Sequence, residues 1–371
     1  MKLVEITAPE FDLAKTLDSG QVFHWERIGD GFCGTIGDRA VYVEQRGNIL
    51  RVRAGETPAP AREARALPRI VANYFALNHP LAQICASFPQ DETMKAASDF
   101  CRGLRIIRQP KWECLATFIC SSMKQVAHIR QISQALRRRF GEARKIGLQR
   151  SIQNVHAGSA APRAMLIDSA SRTFANIEQG SARSTCNHTV YTFPAPARLA
   201  KSAEKDLREC ALGYRTKNLL VTARLVANGD VDLEKWAARA DIDLRAKLCE
   251  LPGVGAKVAN CVMLFAYERL RAFPIDVWIE RVLRENYFPR ARKLNATRLR
   301  TFTQEHFGEH GGYAQQYLFH HARMNKGVDG GRRAVGAKKN GSRPSLRPAI
   351  AGLRRGKRRV SLQNDKSAGV T

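Results

Sequence analysis

LCELPGVGAKVANC (Leu248–Cys261) places Pro252, Gly253 and Gly255 between two stretches of helical pattern, Leu233–Glu250 and Ala256–Glu268. Glycine allows the tight turn and close backbone approach that a bulky residue would block. The segment therefore reads as a helix-hairpin-helix. Such a turn, through the backbone around Gly253 and Gly255, aims N–H groups at the mouth of the second helix, where a nucleic-acid phosphate is held without any sequence-reading side chain. Taken alone, the turn would also serve as a close helix crossing.

The helix after the turn adds chemistry. Lys257 falls in its first turn, where the positive end of the dipole works against an ammonium and favours the neutral, nucleophilic amine. The bland alternative is a solvated surface lysine. Nineteen residues later FPIDV brings Asp276 to the start of another amphipathic run, VWIERVLREN. Its minimum role is an N-cap, which contributes about 1 kcal/mol. A carboxylate held by helix N–H groups stays ionised at neutral pH and stabilises positive charge growing on a sugar as a glycosidic bond breaks. Lysine and carboxylate together point to chemistry at a sugar C1′.

The rest of the chain fits a nucleic-acid partner. Across 371 residues Lys and Arg outnumber Asp and Glu by 61 to 34, a net charge of +27, with 44% hydrophobic content. Such a chain holds a core and attracts polyanions; charge alone leaves a solvated basic surface or a membrane-facing patch open. The apolar runs, such as Val258–Tyr267, fall far short of the roughly 20 residues that span a bilayer, and MKLVEITAPEF lacks the apolar region of a secretory signal. An intracellular, DNA-associated protein is expected, in the nucleus of a eukaryote or the cytoplasm and nucleoid of a bacterium. Nine cysteines without C-x2-C spacing imply reduced thiols, with no zinc site and no iron–sulfur cluster.

The organisation reads as α+β. Short β-rich runs between Leu3 and Arg53, punctuated by glycines, form an antiparallel meander, and helical pattern takes over after Pro58 and Pro60. Residues 1–108 make up this N-terminal domain. Residues 109–325 read as an all-helical domain containing a helical hairpin over Trp112–Phe140, with 142–190 as an irregular insertion of weak periodicity. From Arg323 onward, 14 Lys or Arg stand against Asp329 and Asp365; residues 326–371 read as a disordered basic tail.

These motifs carry a resemblance. LCELPGVGAKVANCVMLFAYERLRAFPIDVWIERVL resembles the helix-hairpin-helix DNA glycosylases, and most closely the 8-oxoguanine DNA glycosylases. DSGQVFHW, KWECLATFICSS, ALGYRTKNL and GGYAQQYLFHHARM are similar to further blocks of that family, in its order, over residues 1 to about 325 except 142–190. The resemblance implies a bifunctional glycosylase and abasic-site lyase acting as a monomer on double-stranded DNA that contains oxidised guanine. Lys257 would displace the base and form a Schiff base, Asp276 would assist, and β-elimination would nick the strand.

It further implies that the Gly20 carbonyl reads the N7 hydrogen of 8-oxoguanine, that Gln315 contacts its Watson–Crick edge, and that Cys261 and Phe319 sandwich the ring. Each of these has an ordinary alternative, core for Cys261 and Phe319, surface for Gln315. No cofactor is needed for catalysis, but backbone carbonyls of Cys249, Leu251 and Val254 would bind a structural cation bridging to phosphate. Tyr214 and Arg215 match positions that wedge the duplex and read the orphaned cytosine. The chain departs from the family where Met123-Lys124-Gln125 replaces an Asn triplet, where His128 replaces an Arg that reads cytosine, and where Trp278 replaces a His that touches phosphate. Two alternatives stay open: a related glycosylase of other lesion specificity, and a catalytically silent DNA-binding protein.

Overall fold

The computed structural model describes residues 3–55, 66–122, 124–149 and 185–333. Five short strands, β1 (Val4–Thr7), β2 (Glu26–Ile28), β3 (Gly31–Ile36), β4 (Arg39–Arg46) and β5 (Ile49–Ala54), form an antiparallel sheet in the order β1-β5-β4-β3-β2. The expected meander is β2 to β5. The first strand returns to the far edge beside β5, because helix α1 (Leu13–Asp18) intervenes between β1 and β2.

Register sets which residues are buried. Phe32, Val43 and Val52 lie opposite one another on neighbouring strands, and this row packs against Leu13 and Leu17 of α1 and Leu67 and Val71 of α2 (Leu67–Tyr74). The period of two then sends Cys33 and Tyr42 to the other face. That face is covered as well. Two strands from the segment expected to be irregular, β6 (Ala143–Gln149) and β7 (Thr185–Tyr191), pair with each other, and Ile146 and Val190 pack on Cys33, Ala40 and Tyr42. Arg53 adds a hydrogen bond to the Gly147 carbonyl at 2.6 Å. The two ends of that segment are thus a corrected part of the β layer; residues 150–184 lie outside the described residues.

Helices α3 (Leu81–Ala86), α4 (Glu92–Phe100), α5 (Lys111–Ser121), α6 (Val126–Phe140), α7 (Pro196–Ala200), α8 (Glu204–Arg208) and α9 (Arg215–Ala227) share one core with α10 (Asp241–Cys249), α11 (Ala256–Ala266), α12 (Val277–Val282), α13 (Ala296–Phe307) and α14 (Gly311–Arg333). Leu81, Ile84 and Met94 belong to this core and not to that of the sheet, so a boundary at 108 cuts through shared packing. α14 runs on to Arg333, beyond the expected start of the tail at 326. The remainder of that tail, like Met123, lies outside the described residues. Among the described residues no helix is long and apolar enough to cross a membrane.

Candidate active site

The turn between α10 and α11 contains Gly253 at φ +78°, with Gly255 as the extended N-cap of α11. A Cβ on Gly253 would lie 2.5 Å from Asn218 Nδ2, so conformation and close approach to α9 both call for glycine. Lys257 is the second residue of α11, and Cys261 and Phe265 follow at spacings of four, which stacks all three on one face of the helix.

That face lines a cavity. The other walls are Phe118 from α5, Pro274 and Asp276 from the start of α12, Gln315, Gln316 and Phe319 from α14, and Gly20 from the loop after α1. Elements separated by more than two hundred residues in the chain thus converge on Lys257. The sequence reading placed Lys257, Asp276, Gly20, Cys261, Gln315 and Phe319 in one site, and the structure brings all six to one cavity.

Asp276 caps α12 by accepting the Ile279 N–H at 2.9 Å. Burial nevertheless pushes its carboxyl above the ordinary range, opposed by the Ile279 N–H and by the charge of Lys257. The cap alone therefore does not decide its ionisation, as the sequence had suggested. Cys261 is buried, which raises its thiol; the Lys257 charge and hydrogen bond oppose that effect and Asp276 reinforces it. Lys257 Nζ also stands 5.1 Å from the centroid of the Phe118 ring. Gln315 is only 4% exposed and its Oε1 has no hydrogen-bond partner. A buried acceptor left unpaired costs about 1–3 kcal/mol, and a ligand donor entering the cavity would satisfy it.

Several residues that set this geometry were not singled out from sequence. Gln316 donates to the Ser19 carbonyl at 2.9 Å, tying α14 to the loop that carries Gly20. Gln21 is fully buried: it donates to the Arg105 carbonyl at 2.8 Å and accepts from the Ile107 N–H at 2.7 Å. Gln109 closes the circuit, its side chain donating to the Gln21 carbonyl and its backbone N–H to the Phe265 carbonyl. Asn260 donates to the Phe273 carbonyl at 3.1 Å, holding the strap that leads to Asp276 against the helix that carries Lys257.

The chain as a whole is similar to known DNA glycosylases. Residues 3–115 match the family model for the 8-oxoguanine DNA glycosylase N-terminal domain. A probable N-glycosylase/DNA lyase of Methanothermobacter thermautotrophicus is 26% identical over 359 residues, 90% of this chain and 100% of the relative. The structure of a Clostridium acetobutylicum 8-oxoguanine glycosylase/lyase, in complex with double-stranded DNA containing cytosine opposite 8-oxoguanine, superposes with a TM-score of 0.69 at 27% identity, covering 88% of this chain and 96% of that one. The chain is thus similar along most of its length to 8-oxoguanine glycosylases and N-glycosylase/DNA lyases.

Outside the cavity, the residues expected to meet DNA divide. Tyr214 is 61% exposed at the start of α9. His128 is exposed on the first turn of α6, and Gly253 and Gly255 are exposed in the hairpin. Trp278 is half-buried, with the Arg281 guanidinium 5.7 Å from its ring. Arg215, expected with Tyr214 to read the orphaned cytosine, is turned inward in this structure. It is 4% exposed and spends its donors on carbonyls: Nε to Ser122 at 2.8 Å, Nη2 to the same oxygen, and Nη1 to Leu212 at 3.2 Å. Here it anchors the turn that leads into Met123.

Proposed function

We propose that the chain is a bifunctional DNA N-glycosylase and abasic-site lyase that excises 8-oxoguanine from duplex DNA. The observation that carries this is the convergence on one cavity of Lys257, Asp276, Cys261 and Phe319, with an unpartnered buried acceptor on Gln315. A base turned out of the helix needs stacking on its faces and hydrogen bonds on its edge, and turning it out costs a few kcal/mol. Cys261 and Phe319 offer the faces, Gln315 the edge, and Gly20 the carbonyl that distinguishes a purine bearing hydrogen on N7.

The free amine of Lys257 attacks C1′ as the N-glycosidic bond breaks, and the base departs with the bonding electrons and takes up a proton. Asp276 stabilises the positive charge that develops on the sugar. Opening of the deoxyribose gives an iminium on Lys257; loss of a C2′ proton then expels the 3′ phosphate, and water releases the lysine. The hairpin carbonyls of Cys249, Leu251 and Val254 are a donor set suited to a hard cation. The Leu251 oxygen accepts one N–H from Val254 at 3.1 Å and keeps its second lone pair, so the set fits a structural cation that would bridge to a phosphate. The enzyme acts as a monomer where the cell keeps its DNA.

Borohydride trapping tests the reading. Incubated with duplexes carrying 8-oxoguanine opposite each of the four bases, the protein should form a covalent adduct that Lys257→Gln abolishes. Binding without an adduct would leave a DNA-binding protein with no lyase chemistry.

A further inference from the structure

The reaction at Lys257 does not require Arg323, yet this side chain is packed directly behind the wall of the cavity. It sits on α14, seven residues beyond Gln316 and four beyond Phe319, so the three share a face of the helix. Its Nη2 donates to the Asp18 carbonyl, and its guanidinium carbon lies 5.6 Å from the centroid of the Phe319 ring. Nη2 also lies 3.4 Å from Nδ1 of His320, whose imidazole burial holds down to about 4; the ring is neutral at physiological pH and does not repel the guanidinium.

Asp18, Ser19 and Gly20 are thereby fastened to α14 at successive points. Arg323 takes the first carbonyl, Gln316 the second, and Gly20 is pressed against the side chains of Phe319 and Arg323. Gly20 has φ +88°, and a Cβ there would lie 2.9 Å from Arg323 Nη1 and 3.0 Å from Phe319 Cε1. The Asp18 carboxylate also faces Arg130 of α6 at 3.5 Å, so the clasp joins α1, α6 and α14 at one lip of the cavity. Gly20 and Phe319 line the cavity, and Arg323 stands behind both.

We infer that Arg323 is a positioning residue for base recognition: holding the Asp18 carbonyl while lying over the Phe319 ring, it fixes the spacing between the Gly20 backbone and Phe319. This rests on the proposed function, because the object measured by that spacing is the extruded oxidised purine. An abasic site brings no base into the slot. The clasp therefore matters for excision and not for nicking at a site that has already lost its base.

The test compares two single-turnover rates at saturating enzyme, excision of 8-oxoguanine from duplex DNA and scission of a preformed abasic site. Arg323→Ala should slow excision by tenfold or more, leave scission within about twofold, and reduce discrimination against unmodified guanine. Arg323→Lys, which keeps a donor and a cation, should recover part of the excision rate. Unchanged excision in Arg323→Ala would overturn the inference. So would an equal loss of both rates with a lowered melting temperature, which marks a purely structural residue, or an unchanged saturated rate with weaker binding and a shallower salt dependence, which marks a phosphate contact. Absence of both activities in the wild-type protein would instead remove the functional reading on which the inference rests.

Discussion

Lys257 Nζ lies 5.1 Å from the centroid of Phe118, and Phe118 is itself stacked on Phe265 with ring centroids 5.5 Å apart and planes 11° from parallel. The lysine thus works beside a fixed aromatic surface, which limits the arcs its long side chain can sweep. A cation–aromatic contact of this kind is worth about 1 kcal/mol. Phe118→Leu should therefore slow adduct formation by up to about tenfold and lower the melting temperature by a few degrees, since the ring also fills core volume. Rapid-quench trapping with borohydride measures the first effect and calorimetry the second. A rate unchanged in a destabilised variant would show that the ring serves packing alone.

Asp276 separates capping from catalysis. Asparagine caps a helix about as well as aspartate, so Asp276→Asn should keep α12 intact. Burial raises the carboxyl in the folded protein, so its charged form is disfavoured by folding and lowers stability at neutral pH. The variant should melt at the same temperature as wild type or higher, while excision falls by about 10²-fold or more. In wild type the rate should drop on the acid side at a pH above that of a solvent-exposed aspartate. A pH–rate profile with its acid limb in the ordinary aspartate range would contradict the raised carboxyl.

Arg215 offers a test of orientation. Truncation strands the Ser122 carbonyl, while the Leu212 carbonyl keeps the backbone N–H of residue 215 at 3.3 Å; the cost is about 1–3 kcal/mol, so Arg215→Ala should lose a few degrees of melting temperature. Since the guanidinium is spent inside the protein, the ratio of excision rates opposite cytosine and opposite adenine should change by less than about twofold. Collapse of that ratio would mean that Arg215 leaves its carbonyls and reads the orphaned base when DNA binds.

Glu268, just beyond α11, accepts from His79 at 2.5 Å and from Arg108, and these contacts hold its carboxyl down at about 2. A folded-state value below the unfolded one of 4.5 gives stability that is fully present above pH 4.5 and lost as the pH falls toward 2. The side chain is 39% exposed, so screening leaves a contribution on the order of 1 kcal/mol. Glu268→Gln should therefore melt below wild type at pH 6 to 7, with the gap closing as the pH falls from 4.5 to 3. A gap independent of pH would assign the effect to shape and not to charge.

Residues whose identity nearly dictates their geometry were legible from sequence. Gly253 and Gly255 announce the turn, Lys257 and Asp276 sit at helix starts, and the apolar alternation around Val41, Val43 and Val52 announces the sheet. The misses share a different cause, long-range partnering. Among the described side chains β6 and β7 bury Ile146 and Val190, too few apolar positions to produce a period, and each finds its partner across a long stretch of chain. The helical pattern through Asn286 conceals a widening into a π-helical turn at Leu283–Tyr287, where the Tyr287 hydroxyl reaches the Asp91 carboxylate at 3.1 Å. Gln21, Gln109 and Gln316 look like surface amides, although Gln21 and Gln316 adjoin Gly20 and Gln315 in the chain. That adjacency was the one available signal. Nothing in the letter R at 215 says whether a guanidinium faces outward or turns in.

The pairing of β6 with β7 runs in unbroken register from Ala143 opposite Tyr191 to Gln149 opposite Thr185. A ladder of that kind, pinned to the sheet by Ile146 and Val190, acts as a socket. Loop-closure entropy grows only logarithmically with length, so this scaffold tolerates interchange of whatever chain joins Gln149 to Thr185 at little thermodynamic cost. Replacing residues 150–184 with the two-residue turn Asn-Gly, which matches the twist of a hairpin, should leave the catalytic cavity in place. A lineage could exchange that segment freely without disturbing the chemistry at Lys257.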